Sequence, residues 1–306
     1  MICETIQKSE FQVDHIQANT QTSSMNQTIP SGARLREHLR RQPITPFIGV
    51  YDVFSASLAA RHFDALFVSG FSFAASHYGL PDIGFIAWPE ILNFVQRVRA
   101  VVPDHHLLVD IDDGYCDTEV ACHVARSLEK LGASGIVLED QARPRGCGHT
   151  NGKRILPLEE YLAKLDAVLA ARRDLFVVAR TDATETDEIK RRVVAFRRAG
   201  CDAVLADGIP SLALLAEISA LVDCPVVFNQ IAGGKSPVCS LTELQSHGAD
   251  MVIYSTPCLF AAQTAVENTL SALRAEDGSL GSALMRDATL KTCNAVLRKN
   301  LNPRGT

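Results

Sequence analysis

Residues 107–140 read LLVDIDDGYCDTEVACHVARSLEKLGASGIVLED. The stretch opens and closes on nearly unbroken apolar runs, LLVDID (107–112) and GIVLED (135–140). A run of four to six apolar residues is the pattern of a strand buried on both faces, as in a parallel sheet. Between them Val120, Val124, Leu128 and Leu131 recur at helical spacing, and Gly132 supplies a C-terminal stop. The unit is therefore strand, helix, strand.

The same unit repeats along the chain. Further strand candidates are FIGV (47–50), ALFVS (65–69), LFVVAR (175–180), DAVLAD (202–207), PVVFN (225–229) and DMVIY (250–254). Helical stretches follow each: 55–63, 89–102, 158–173, 186–200, 211–222, 240–248 and 258–276, with a last one at about 282–300. Eight strand–helix units predict an α/β fold, a (β/α)8 TIM barrel with extra C-terminal helices. A doubly wound open sheet is the alternative, but no G-x-G-x-x-G follows the first strand. Residues 1–30 are polar and read as a poorly ordered arm, and 31–306 as one barrel domain with a C-terminal helical extension.

Composition narrows the function. Hydrophobic content of 47% and charged content of 21% suit a globular protein. A net charge of −5 offers no footprint for nucleic acid. No apolar run approaches the ~18 residues of a membrane span, and no secretory signal is seen. Nine scattered cysteines without CxxC spacing point to reduced thiols in a cytoplasmic setting. Cys122, Cys201, Cys224 and Cys258 read as small core residues; Cys116 is less defined.

In such a barrel the active site lies at the C-terminal ends of the strands. There the apolar runs stop at Ser69–Gly70, Asp110 and Asp112, Glu139 and Asp140, Arg180, Asp207, Asn229 and Tyr254. Polar strand ends also occur wherever a chain meets water, but here they converge on one rim. Asp110 and Asp112, two apart on a strand, share a face; like charges there call for a cation, and hard oxygens suit Mg²⁺ or Mn²⁺. Glu139 would complete the shell, while Asp113 points elsewhere. A helix N-cap with a loop carboxylate is the competing reading of the pair. Arg180 suits the carboxylate or phosphate of an anionic substrate, or an ion pair with Asp182.

After strand four the chain runs RPRGCGH (143–149) within a connection of about sixteen residues, the length of a functional loop. Arg143, Arg145 and His149 would favour a thiolate at Cys147 or hold an anion beside it. Gly146 and Gly148 would let the loop hinge and the backbone approach closely. A turn cysteine is the plainer alternative.

VSGFSFAAS (68–76), GLPDIG (79–84), DIDDGY (110–115), LEDQ (138–141), RGCGH (145–149), ARTDA (179–183), FNQIAGGKSP (228–237) and IYS (253–255) occur in an order that resembles the isocitrate lyase/phosphoenolpyruvate mutase superfamily from about residue 32 to at least 275. In its loop the chain is most similar to the 2-methylisocitrate lyase-like carbon–carbon lyases. The resemblance implies Mg²⁺, a 2-hydroxy or 2-oxo carboxylate substrate, and a homotetramer built as a dimer of helix-swapped dimers. It implies Asp110, Asp112, Asp82 and Glu139 around the metal; Ser69, Gly70, Arg180, Asn229, Gly148, Tyr51 and Asp207 around the substrate; and Cys147, His149, Arg180 and Glu139 as the catalytic group. Cys147 would be the general acid, His149 its support, and Tyr51 a candidate base.

The implied reaction cleaves a substituted malate or (2-methyl)isocitrate-like 2-hydroxy di- or tricarboxylate to a 2-oxo acid and a carboxylate. The alternatives are a carboxyphosphonoenolpyruvate or phosphoenolpyruvate phosphonomutase, an oxaloacetate-type hydrolase, or a binding protein on the same scaffold. The chain departs from the lyase pattern at Arg145, where the lyases have Lys. It departs again at Gly146, where they have a second cation, at Asp207, where they have Glu, and at the polar Thr256 after strand eight.

Overall fold

The computed structural model describes residues 29–115, 117–149, 152–279 and 288–304. The segment expected to be an arm falls almost wholly on residues 1–28, and Cys116 on one of the gaps; both lie outside the described residues. Eight strands, β1 (Thr45–Val50), β2 (Ala65–Val68), β3 (His106–Asp110), β4 (Gly135–Glu139), β5 (Phe176–Thr181), β6 (Ala203–Ala206), β7 (Val226–Asn229) and β8 (Met251–Tyr254), pair in parallel and in chain order. Pairing of Thr45 with Met251 closes the barrel between β1 and β8.

The helices are α1 (Ser31–Arg41), α2 (Val53–Ala59), α3 (Gly70–Tyr78), α4 (Trp88–Val101), α5 (Thr118–Lys130), α6 (Leu158–Ala171), α7 (Thr186–Ala199), α8 (Leu212–Leu221), α9 (Leu241–Ser246), α10 (Pro257–Ala275) and α11 (Leu290–Leu301). Strand residues are buried on both faces, as the unbroken apolar runs require. One face packs beneath the helices. The other fills the barrel interior with side chains that include Phe47, Phe67, Leu108, Phe176, Val227 and Met251.

Two helices lie outside the sequence expectation. α1 plugs the N-terminal end of the barrel: Leu35 is fully buried in the interior cluster and Leu39 packs beside it. Burying one leucine is worth roughly 1.5–3 kcal/mol. The helix is also tied down by Arg36, which reaches Asp174 at 3.1 Å and Asp202 at 2.9 Å. α3 grows directly out of β2. The Ser69 hydroxyl caps it by accepting from Ser72 N at 3.2 Å, so a rim residue doubles as the N-cap. α10 contains no buried residue, and it exposes Val266 and Leu270. Among the described residues no helix is long and apolar enough to cross a membrane.

Candidate active site

The rim gathers most of the residues expected there. Asp82, Asp110, Asp112, Glu139, Arg180, Asp207 and Asn229 are all buried at the C-terminal end of the barrel. Asp110 ends β3, but Asp112 lies beyond the strand with a left-handed φ of 51°. The two carboxylates therefore do not meet by strand alternation, as the spacing predicted. They meet because the chain turns: Asp112 N donates to Asp110 Oδ1 at 3.1 Å. Both carboxylates face Gly70, where an added Cβ would sit 3.2 Å from Asp110 Oδ2 and 3.2 Å from Asp112 Oδ1. Glycine there keeps a space open beside two acids. Asp113 does point elsewhere, to a two-pronged pair with Arg143 at 2.8 Å from each guanidinium nitrogen.

Arg145 enters this acidic cluster from the loop. Its Nη1 lies 2.5 Å from Asp82 Oδ1 and its Nε 2.8 Å from Glu139 Oε1. Its Nη2 is 3.2 Å from Asp112 Oδ1, an ion pair without hydrogen-bond alignment, since both atoms count as buried and unbonded. Arg145, with Arg180 shared between Glu139 and its own partners Asp182 and Asp207, does not balance four buried acids. Burial pushes Glu139 up to about 7, against the pull of Arg145 and Arg180, and raises Asp110 and Asp112 as well. Asp112 Oδ1 and Glu139 Oε2 accept no hydrogen bond. Orphaned hard oxygens around an open space, short of positive charge, fit a divalent cation. Among the described residues no three His, Cys, Asp or Glu side chains are placed to ligate a metal directly.

Arg180 is the hub beside this cluster. It makes two hydrogen bonds to Asp182, at 3.0 and 3.1 Å, and its Nη2 lies 2.8 Å from Asp207 Oδ2 and 3.3 Å from Glu139 Oε2. Nη1 makes no hydrogen bond to the described residues. Burial alone would raise the Asp207 carboxyl, but Arg180, His149 and Asn229 together hold it well below the usual range. Asn229 Nδ2 donates to Asp207 Oδ1 at 2.8 Å, and Ser255 Oγ donates to Asn229 Oδ1 at 2.8 Å, which fixes the amide's orientation.

The long loop lies down on this hub. Its base is a short antiparallel clasp: Gln141 bridges Ile155, and Leu156 N donates to Asp140 O at 2.8 Å. Gly148 presses so closely that a Cβ would fall 1.8 Å from Asp207 Oδ2 and 2.4 Å from Arg180 Nη2. His149 is held at both nitrogens. Nδ1 accepts from Lys235 N at 2.9 Å, so Nε2 carries the hydrogen and faces Asp207 Oδ1 at 3.4 Å. Lys153 donates to the Gly148 carbonyl and to Asp182 Oδ1, fastening the loop to Arg180's own partner.

Two expectations need correction. Burial pushes the Cys147 thiol up to about 11, although the His149 N–H donates to it. The loop cations do not favour a thiolate, because Arg143 and Arg145 are spent on Asp113 and on the acidic cluster. Tyr51 is pushed upward by burial, then by Asp52 and Cys258. Its phenol stays protonated at neutral pH, which argues against the role of base. The sequence reading passed over Lys153 and gave Arg145 a different partner. Their signal was only a basic residue on either side of the C-G-H core.

A closed parallel barrel with an acid-lined rim, a paired arginine and a cysteine-bearing loop defines an α/β-barrel enzyme of the lyase and mutase type. The chain belongs to the phosphoenolpyruvate phosphomutase family, whose sequence pattern matches residues 35–274, and so to the PEP mutase/isocitrate lyase superfamily. It is 30% identical to the 2,3-dimethylmalate lyase of Eubacterium barkeri, over 82% of this chain and 89% of that one. It is 34% identical to a 2-methylisocitrate lyase of Bacillus subtilis (strain 168), over 80% and 82%. Among solved structures, oxaloacetate acetylhydrolase bound to 3,3-difluorooxalacetate superposes with a TM-score of 0.83 at 28% identity, covering 89% of this chain and 95% of that one.

Proposed function

We propose that the chain is a divalent-metal-dependent carbon–carbon lyase that cleaves a substituted malate or a related 2-hydroxy di- or tricarboxylate. The observation that carries this reading is the loop clamped over Arg180 and Asp207, which buries the Cys147 thiol and so pushes it up to about 11. A neutral thiol over an anion-binding arginine is built to give a proton, not to attack. Kinship with the dimethylmalate and methylisocitrate lyases supports the reaction class.

In this reading Asp110, Asp112, Asp82 and Glu139 hold Mg²⁺, or Mn²⁺, through its water. When bound, the ion would polarise the substrate's oxygen atoms and offset developing negative charge. Arg180 grips a substrate carboxylate through Nη1, while Asp182 and Asp207 fix the guanidinium plane. Ser69 and Gly70 border the same space, and Asn229 forms its far wall. The 2-hydroxyl gives its proton to a rim carboxylate and becomes the carbonyl of the 2-oxo acid. The broken carbon–carbon bond leaves its electron pair on the departing carboxylate fragment, the Cys147 Sγ–H protonates that carbon, and the thiolate regains the proton from the rim before the next cycle. His149 holds the thiol's backbone neighbour in place. The seated loop excludes water from the carbanion.

An oxaloacetate-type hydrolase is the second reading, favoured by the likeness to oxaloacetate acetylhydrolase. Incubation with pyruvate or glyoxylate and a panel of carboxylic acids separates the two. A lyase run backwards yields a condensation product visible by mass spectrometry. Release of oxalate from oxaloacetate, with no condensation product, would replace the lyase reading with the hydrolase. The bare apolar face of α10 supports exchange of this helix between subunits of a cytoplasmic homotetramer, which light scattering of the eluted enzyme checks.

A further inference from the structure

Two thiols at the other end of the barrel are unused by this chemistry. Cys201 follows Gly200, the left-handed cap of α7, and leads into β6. Cys224 precedes Pro225 at the entrance to β7. β6 and β7 are neighbours in register, Val204 against Val226 and Leu205 against Val227, so the two entrances lie side by side. There the side chains of Cys201 and Cys224 come close enough to interact. Arg197 pins both segments: Nη1 donates to Cys201 O at 3.2 Å and Nε to Asp223 Oδ1 at 2.5 Å.

The pair is asymmetric. Cys201 is fully buried, while Cys224 is half-buried. The more exposed cysteine thus has a fully buried one beside it, the arrangement of a thiol with a resolving partner.

We propose that Cys201 and Cys224 form a reversible redox pair that closes into a disulfide when the chain meets hydrogen peroxide. The Cys224 sulfur attacks one peroxide oxygen; the O–O bond breaks and the leaving hydroxide takes up a proton as water. Cys224 is then a sulfenic acid. The Cys201 sulfur attacks the Cys224 sulfur, the S–O bond breaks, and a second water leaves with the thiol proton. Two thiols are oxidised, one peroxide is reduced to two waters, and dithiothreitol restores the thiols.

The test uses the full chain treated with hydrogen peroxide, quenched with N-ethylmaleimide and mapped by mass spectrometry. No Lys or Arg lies between Arg198 and Lys235, so trypsin leaves both cysteines on one peptide, and cleavage at Glu217 then separates them. The expected peptide is lighter by about 2 Da, and its two halves stay joined until reduced. Cys201→Ser should carry a trapped sulfenic acid or further oxide at Cys224 instead, at an unchanged circular dichroism spectrum. Halves that separate without reductant, with Cys224 labelled as a free thiol or over-oxidised in the native chain, overturn the proposal.

Discussion

Arg180 Nη2 lies 2.8 Å from Asp207 Oδ2, and the backbone of Gly148 rests against both. The pair joins three functions: it fixes the arginine, receives the loop, and faces His149 through the second Asp207 oxygen. Asp207→Asn removes the charge and keeps the shape. Breaking a buried pair in this way costs about 3–5 kcal/mol. Steady-state kinetics should show kcat/KM lower by roughly 10²–10³, and urea titration a less stable fold.

Gly148→Ala tests the closeness of the loop. A Cβ 1.8 Å from a carboxylate oxygen cannot be absorbed by a small shift, so the loop must stand off the rim. The barrel core is untouched, and the melting temperature should hold within a few degrees. Turnover should fall at least about 10²-fold, and a protease should cut the 142–154 segment faster than in the parent chain. Parent-like turnover would show that the seated loop is not the working state.

Cys147→Ser addresses the proton donor directly. Loss of a positioned general acid lowers turnover by roughly 10²–10⁴. The acid works only while protonated, and burial places its pKa at about 11, so it should hold its activity through the neutral range and lose it as pH rises through about 11. The same shift has a sign for stability. The unfolded thiol ionises near ~8.5 while the folded one keeps its proton, so stability should fall as pH climbs from that value toward 11. Denaturant titrations of the parent and Cys147→Ser chains across this window measure the difference.

Metal removal is the fourth test. EDTA should abolish turnover and Mg²⁺ restore it. Calorimetry should show Mg²⁺ binding that Asp110→Asn weakens by at least about 10-fold. Activity indifferent to chelation would remove the cation from the site.

The strands were legible because each is buried on both faces, which writes an unbroken apolar run into the chain. α1 was not, because it meets the barrel with little more than Leu35 and Leu39 and shows arginines to the rest. α3 was hidden because it follows β2 without a loop, capped by the serine that ends the strand's run. At the rim, residue identity was legible and pairing was not. Arg145 answers Asp82, 63 positions away, and Lys153 answers Asp182, 29 positions away. Such partners are set by the closure of the barrel, which no local pattern records. Asp112 illustrates the limit from the other side: it joins the acidic cluster, but through a turn and not through the strand geometry its spacing suggested.

The placement of Arg145 gives the loop a second character. Its guanidinium sits among Asp82, Asp112 and Glu139 with almost no solvent contact. It is a counter-ion on a tether, supplied by the chain itself. A cation arriving at the same acids changes what that tether is worth, and a seated tether changes what the cation is worth by the same factor. Were a cation held there as proposed, lid position and ion occupancy would be one equilibrium, read from two ends.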